Sequence, residues 1–135
     1  MTGAIRIVET QPAHFEALET LQKLVFVDIP GEEAFTAALY REHLRYFPEG
    51  QMTALAQTDE GERVVGSTTT MRTSETFEGA HPYYFDFIGG GTLATHDPNG
   101  EWLYGIDVGV HPEYRGRGIG KRLYAERRKL VRRLN

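Results

Sequence analysis

The fold of this chain is decided by residues 108–121, which read Val-Gly-Val-His-Pro-Glu-Tyr-Arg-Gly-Arg-Gly-Ile-Gly-Lys. Alternation predicts a strand up to Val110, and Pro112 ends it because proline has no N–H for a sheet ladder. Glycines at 116, 118 and 120 then lead into a helical pattern. Glycine permits positive φ, and a helix start presents unpaired N–H groups at the positive end of its dipole. The stretch therefore predicts a cradle for a phosphate or diphosphate.

The charge distribution also points to an anionic ligand. The last 21 residues carry nine Lys or Arg and one Glu, whereas the first 114 carry six basic and 18 acidic residues. A basic end on an acidic body attracts either nucleic acid or a phosphorylated small molecule. The basic helix has little aromatic interleaving and the body is acidic, so the pattern favours the small molecule and predicts no nucleic-acid partner.

Two common phosphate-binding motifs do not fit this stretch. A P-loop needs Gly six positions before its Lys and Ser or Thr after it, and those positions hold Arg115 and Arg122. A dinucleotide fingerprint needs G-x-G-x-x-G, whereas the spacing here is G-x-G-x-G and leaves no room for the acidic ribose contact.

The stretch instead resembles the GNAT superfamily of N-acetyltransferases. The signature of that superfamily, Arg/Gln-x-x-Gly-x-Gly/Ala between a strand and a helix, is matched at every position by residues 115–120, Arg-Gly-Arg-Gly-Ile-Gly. The preceding residues 110–114, Val-His-Pro-Glu-Tyr, resemble the strand exit of the family. The resemblance covers nearly the whole chain, because the order of predicted elements matches the first half of the family fold.

Outward from the stretch, the sequence predicts an α/β (α+β) fold with the order β-α-α-β-β-β-α, as one domain over residues 1–135. We expect a mixed, mostly antiparallel sheet flanked by helices, with the C-terminal part of the GNAT fold missing. The predicted strands are 4–9, 52–58, 63–72 and 102–110, and the predicted helices are 12–25, 32–47 and 121–134.

The segment between the last two strands is rich in aromatic residues. We expect a strand extension or an ordered loop near 83–88, followed by a turn. The aromatic residues of 77–87 form either part of the core or a wall or lid of an acceptor pocket.

The resemblance implies acetyl-CoA as co-substrate and an amine as acceptor, without a metal. It implies that backbone amides after the strand hold the diphosphate of CoA and that backbone groups of Val108 and Val110 pair with the pantetheine arm. The implied CoA-binding residues are Val108, Val110, Arg115, Gly116, Arg117, Gly118, Ile119, Gly120 and Lys121.

The general base is less evident, because alternation puts Tyr104, Ile106, Val108 and Val110 on the face where the family often places a Glu. Asp107 falls on the opposite face unless a bulge turns it, and Glu101 precedes the strand; these two are the candidate catalytic residues. His96, His81 and a water relay are further possibilities for moving the proton. The Tyr that usually acts as acid in the family follows a strand that this chain lacks, which leaves a non-catalytic acyl-CoA-binding or regulatory module as the alternative function.

Further expectations concern the length of the whole protein, its oligomeric state and its location in the cell. The chain is either a fragment of a longer protein, which we favour, or half of a site completed by a partner, and residues 90–105 also resemble a GNAT subgroup fused ahead of a carbon–nitrogen hydrolase domain. Strand 102–110 would then have an unpaired edge, which predicts a possible homodimer through it. The 135 residues include no Cys and no apolar run long enough for a membrane, so we expect a cytoplasmic protein without a membrane partner.

Overall fold

The computed structural model describes residues 4–74 and 84–134. The strands are β1 (Ile5–Glu9), β2 (Met52–Thr58), β3 (Gly61–Thr73) and β4 (Trp102–Val110), and the helices are α1 (Phe15–Val25), α2 (Ala37–Tyr46), α3 (Tyr84–Phe87) and α4 (Ile119–Leu134). The order of these elements confirms the predicted class of fold, apart from the short helix α3.

The four strands form one sheet in the order β1-β2-β3-β4, and every neighbouring pair is antiparallel. Among the described residues β4 is therefore an edge strand, which is the premise of the predicted homodimer; the dimer itself stays a prediction. No helix within the described ranges combines the length and the apolar character that a membrane span requires.

Two apolar clusters cover opposite faces of the sheet. One packs α1 and α2 against it, with Leu18 and Leu21 of α1, Tyr40 of α2 and Met71 of β3 all buried. The other packs Ile119 and Leu123 of α4 against buried alanines of β2. Val131, which the helical spacing also predicts to be buried, is instead 40% exposed. The sheet therefore lies between two helical layers, as a three-layer arrangement requires.

Helix α2 starts five residues later than predicted. Residues Gly31–Glu33 form a separate 3₁₀ turn, and the backbone is extended at Ala34 and Thr36. The Thr36 hydroxyl accepts a hydrogen bond from the Leu39 N–H, and Glu19 of α1 accepts one from the Ala37 N–H. The start of α2 is therefore fixed partly by Glu19, which lies 18 residues earlier in the chain. Helical spacing within α2 cannot indicate a contact of this kind.

The segment near 83–88 is not a strand extension where it is described. Residues Tyr84–Phe87 form one helical turn, and Ile88 is buried in the cluster under α1 and α2. Phe87 packs edge-to-face on Tyr104 of β4, with ring centroids 5.1 Å apart. Residues 75–83, which include His81 and most of the aromatic stretch 77–87, lie outside the described residues.

Strand β4 contains a β-bulge that reverses its alternation. Thr69 of β3 pairs with Asp107 and Thr70 pairs with Gly105, so Ile106 is the extra residue. On one side of the bulge Ile106 packs against the α1/α2 cluster, whereas on the other side Val108 packs against the α4 cluster. The bulge brings Asp107 to the α1 side together with Ile106, because two residues of the bulged strand oppose one of its partner.

Gly100 anchors the start of β4, where the backbone of Thr73 leaves no room for a side chain. Its carbonyl accepts hydrogen bonds from the Arg72 guanidinium at 3.0 and 2.8 Å, and a Cβ at this position would lie 2.6–2.7 Å from Thr73 backbone atoms. Since backbone cannot yield as a side-chain tip can, we expect Gly100→Ala to lower the free energy of unfolding by about 2 kcal/mol or more in urea titrations. Gly31→Ala is the control, because a Cβ there meets nothing within 4 Å; equal stability of the two variants would contradict the close approach.

Candidate functional site

The connection from β4 to α4 forms the glycine cradle, residues 115–121. It begins after a 3₁₀ turn over Pro112–Tyr114, and the first residue of α4 is Ile119. Gly116 and Gly118 have φ of +80° and +79°. A Cβ at either glycine would meet nothing within 4 Å, so the backbone there faces open space. The positive φ angles, rather than crowding, require glycine at these two positions.

Six consecutive backbone amides of the cradle have no hydrogen-bond partner among the described residues. The first hydrogen bond of α4 is donated by the Arg122 N–H to the Gly118 carbonyl at 3.1 Å. Within the described residues, none of the N–H groups of residues 116–121 donates a hydrogen bond. These donors lie at the positive end of a 16-residue helix, and an anion is the ligand that satisfies both the donors and the dipole.

Side chains behind the cradle hold it in place. Tyr114 and Ile119 are buried, and the Nδ1 of His111 accepts a hydrogen bond from the Glu113 N–H at 3.1 Å. The guanidinium of Arg117 lies over the Tyr114 ring, 4.8 Å from its centroid. Among the remaining basic side chains, Arg115 and Lys121 are exposed. Arg122, which also adds positive charge here, donates to the Ile5 carbonyl at 2.9 Å.

The edge of β4 that faces away from β3 presents the backbone of Val108 and Val110. The His111 N–H donates to the Val65 carbonyl at 2.8 Å, which places His111 and Gly109 among the residues that bond to β3. Backbone groups of alternate residues in an antiparallel strand point to opposite sides. The N–H and C=O groups of Val108 and Val110 therefore point away from β3, toward the outer edge of the strand that leads into the cradle.

Asp107 lies at the bulge and is mostly enclosed. Its Oδ2 accepts a hydrogen bond from the Gln22 side chain at 2.9 Å, whereas its Oδ1 is buried with no hydrogen-bond partner among the described residues. Burial raises the pKa of Asp107 to about 6, and the neighbouring Thr69, Gln22 and Arg127 oppose the shift by favouring the carboxylate. A carboxyl group with this pKa can take up and release a proton near neutral pH.

Gln22 joins this carboxylate to the connection between α1 and α2. While its Nε2 donates to Asp107, its Oε1 accepts from the Phe35 N–H at 3.2 Å. The Tyr40 hydroxyl is buried nearby, and burial together with the Asp107 charge raises the pKa of Tyr40 well above its usual value. The site therefore keeps a neutral phenol next to a carboxylate.

Arg127 supports the bulge from the α4 side of the sheet, and the sequence did not single it out. Its guanidinium donates to the Asp107 carbonyl at 2.5 Å and to the Thr68 hydroxyl at 2.6 Å. A Cβ at Gly105 would overlap this guanidinium, so the glycine makes room for it. One signal was present: Arg127 follows Ile119 and Leu123 at four-residue spacing, on the stripe of α4 that packs against the sheet.

Two other candidates for proton transfer, Glu101 and His96, do not lie beside Asp107. Glu101 is exposed before the first residue of β4, about 15–20 Å along the strand from Asp107. His96 accepts a hydrogen bond from the Arg72 N–H and stacks on Phe47, so it supports the turn before β4. Among the described residues, no group of three or more His, Asp or Glu side chains is arranged to hold a metal ion.

A cavity of about 280 Å³ opens at Asp107, between β4 and the connection from α1 to α2. It is lined by Gln22, Phe26, Asp28, Ile29, Glu33 and Ile106 among others. A larger groove of about 830 Å³ lies beside the β2–β3 hairpin, and none of its lining residues borders the Asp107 cavity. The smaller cavity is therefore the one in which a ligand would meet the Asp107 carboxyl group.

The chain is similar to known proteins of one family. The profile of the Acetyltransferase (GNAT) family matches residues 15–135. The Bacillus subtilis (strain 168) protein named "Probable hydrolase YhcX" is 38% identical over 115 residues, which are 85% of this chain and 21% of that protein. "Uncharacterized N-acetyltransferase YkwB" of the same strain is 30% identical over 119 residues, 87% of this chain and 51% of that protein. The chain thus spans about a fifth and about half of the lengths of these relatives.

The fold is shared with solved structures as well. The GphF GNAT-like decarboxylase in complex with isobutyryl-CoA superposes with a TM-score of 0.69 at 23% identity, over 89% of this chain and 55% of that one. At this identity the likeness shows the fold alone.

The burial of Asp107 makes the stability of the protein depend on pH. The carboxyl group loses its proton near pH 4 when unfolded and near pH 6 when folded, so the folded state binds more protons in between and stability falls as the pH rises through this window. Asp107→Asn removes the penalty and leaves an acceptor for Gln22. We expect the stability advantage of the variant over wild type to be about 1–3 kcal/mol larger at pH 7.5 than at pH 4 in denaturant titrations.

Asp59→Asn is the control for this measurement, because Asp59 is exposed in the β2–β3 turn. Its difference from wild type is expected to stay within about 0.5 kcal/mol at both pH values. An Asp107→Asn curve parallel to that of wild type from pH 4 to 7.5 would show that the carboxyl group is not destabilised by burial.

Proposed function

Because the chain belongs to the GNAT acetyltransferase family, we propose that it binds acetyl-CoA and transfers the acetyl group to an amine. The observation that carries the proposal is the row of six amides over residues 116–121 that have no hydrogen-bond partner in the described part of the chain. These amides and two positive-φ glycines suit a diphosphate, which is the most strongly anionic part of CoA apart from its ribose phosphate. The exposed Arg115 and Lys121 add positive charge to the same place.

The edge of β4 supports the same assignment. The pantetheine arm of CoA carries two amide groups, and the outward-facing backbone groups of Val108 and Val110 can pair with them as a neighbouring strand would. The arm would then run from the cradle toward the bulge at Ile106. CoA supplies an activated thioester at the end of this arm, next to the cavity that Asp107 lines.

Asp107 is the residue that we propose as proton acceptor. Transfer of an acetyl group from a thioester to a neutral amine forms a C–N bond, breaks the C–S bond and moves one proton from nitrogen to the departing sulfur. The buried Oδ1 of Asp107 has no other hydrogen-bond partner among the described residues, so it is free to take this proton. Gln22 holds the carboxyl group from one side, and Arg127 holds its backbone from the other. Glu101 has no comparable position and stays an untested candidate.

The CoA assignment is tested by a pair of glycine substitutions. Gly118→Ala forces a side chain onto a residue at φ +79° and should turn the amides of the cradle away from the ligand. Gly120→Ala is the matched control, because Gly120 lies inside α4, a Cβ there would only touch Val110 at 4.0 Å, and the family signature accepts Ala. We expect CoA affinity, measured by titration calorimetry, to fall at least tenfold for Gly118→Ala and less than threefold for Gly120→Ala. Equal affinities of all three proteins would rule out the cradle as the diphosphate site.

The transfer reaction is tested by thiol release from acetyl-CoA in the presence of amines. We expect kcat/KM to rise with pH through about 6 as Asp107 loses its proton, and we expect Asp107→Asn to lower it at least 100-fold and to abolish this limb. CoA affinity should be unchanged in the variant. Tight CoA binding by wild type with no thiol release for any amine would instead support the non-catalytic binding module.

A further inference from the structure

The cavity at Asp107 has a one-sided distribution of charge. Three of its lining residues, Asp28, Glu33 and Asp107, carry carboxyl groups, and no Lys, Arg or His is among the described residues that line it. Asp28 and Glu33 form no ion pair with any described residue. This contrasts with Glu19 on the neighbouring helix α1, whose carboxylate lies 3.7 Å from the Lys23 ammonium. Within the described residues, the Asp28 and Glu33 carboxylates are therefore not neutralised by an ion pair.

A second observation points to a ligand. Asp107 Oδ1 is buried without a hydrogen-bond partner among the described residues, although it borders a cavity. A buried acceptor without a donor is costly, and it is seldom left so unless a ligand or solvent supplies the donor. An ammonium or amine N–H at this point would satisfy Oδ1.

The walls and the size of the cavity restrict the ligand further. Phe26, Ile29 and Ile106 contribute apolar surface between the acidic groups, which suits an aliphatic chain. The volume of about 280 Å³ lies just below the range for small-molecule pockets, which starts at roughly 300 Å³. A small molecule with an aliphatic body fits this volume.

The acidic loop is held in place by the fold. The Glu33 N–H donates to the Pro30 carbonyl at 2.9 Å, and the Phe35 N–H donates to the Gln22 side chain that also bonds Asp107. Asp28 and Glu33 therefore lie in the connection between α1 and α2, and the Gln22 side chain links this connection by hydrogen bonds to Asp107. A preorganised arrangement of this kind favours a ligand whose two ends are recognised separately.

We propose that the acceptor is a short aliphatic diamine or polyamine, with one nitrogen at Asp107 and a second ammonium group at Asp28 and Glu33. This inference rests on the proposed function for the site and adds the class of substrate. A monoamine lacks the group that Asp28 and Glu33 recognise. An amino acid of the same length brings a carboxylate to them, which like charges repel.

Three probes of matched length test the proposal: 1,4-diaminobutane, n-butylamine and 4-aminobutanoate. Binding of each to the full chain saturated with CoA is measured by titration calorimetry at low salt, because unpaired surface charges are screened as salt rises. We expect 1,4-diaminobutane to bind at least tenfold more tightly than n-butylamine, and 4-aminobutanoate to bind more weakly than both. Equal affinities for the diamine and the monoamine would overturn the proposal.

A double variant assigns the effect to the loop. We expect Asp28→Asn with Glu33→Gln to reduce the preference for the diamine over n-butylamine to less than twofold and to leave n-butylamine binding unchanged. Asp59→Asn with Glu16→Gln is the control, since both residues are exposed, neither lines the cavity, and the change in net charge is the same. A preference that persists in the loop variant, or that the control variant also removes, would refute a role for Asp28 and Glu33.

Thiol release and amine binding, measured together, distinguish an error in the diamine preference from an error in the proposed acetyl transfer. Thiol release with n-butylamine as fast as with 1,4-diaminobutane, at equal affinities, would leave acetyl transfer standing and refute the diamine preference. Selective diamine binding without any thiol release would refute acetyl transfer and leave the recognition of a dication standing.

Discussion

One extra residue in β4, Ile106, reverses which face each later side chain of the strand occupies, and the candidate site depends on this reversal. Without the bulge, Asp107 would face α4 and Val108 would face α1. With it, the carboxyl group lies on the side that has a cavity, and the valines beyond it complete the cluster under α4. The guanidinium of Arg127 donates to the Asp107 carbonyl and to two neighbouring threonines, and thereby supplies donors that the irregular ladder lacks.

Burial of Asp107 has an energetic cost that the surrounding residues only partly offset. A carboxyl group whose pKa rises on folding is less stable as an anion in the protein than in water. Gln22 and Arg127 favour the anion, yet the pKa stays above its ordinary value because desolvation outweighs them. Residues that are unfavourable for folding and well placed for chemistry are common at active sites, where stability and activity oppose each other.

Elements whose conformation depends on residues close in the sequence were predicted from the sequence. The strands β2, β3 and β4 and the glycine-rich turn before α4 each follow from patterns within about a dozen residues, and the structure has them. Errors arose where distant residues decide. The start of α2 depends on Glu19, and the orientation of Asp107 depends on the register with β3 and on Arg127, 20 residues further along the chain. The aromatic composition near 84–88 fits a strand and a helical turn equally well, and burial of Ile88 under α1 and α2 decides between them.

Among the described residues, one edge of β4 has no neighbouring strand. A strand can accept only one new neighbour on a given side, and the N–H and C=O groups of Val108 and Val110 are what either neighbour would need. If a second copy of the chain and the coenzyme both use this edge, they exclude each other by mass action. At high protein concentration, dimer formation would then block the strand edge that CoA needs, and bound CoA would favour the monomer. The ratio of monomer to dimer would therefore depend on how much CoA is present.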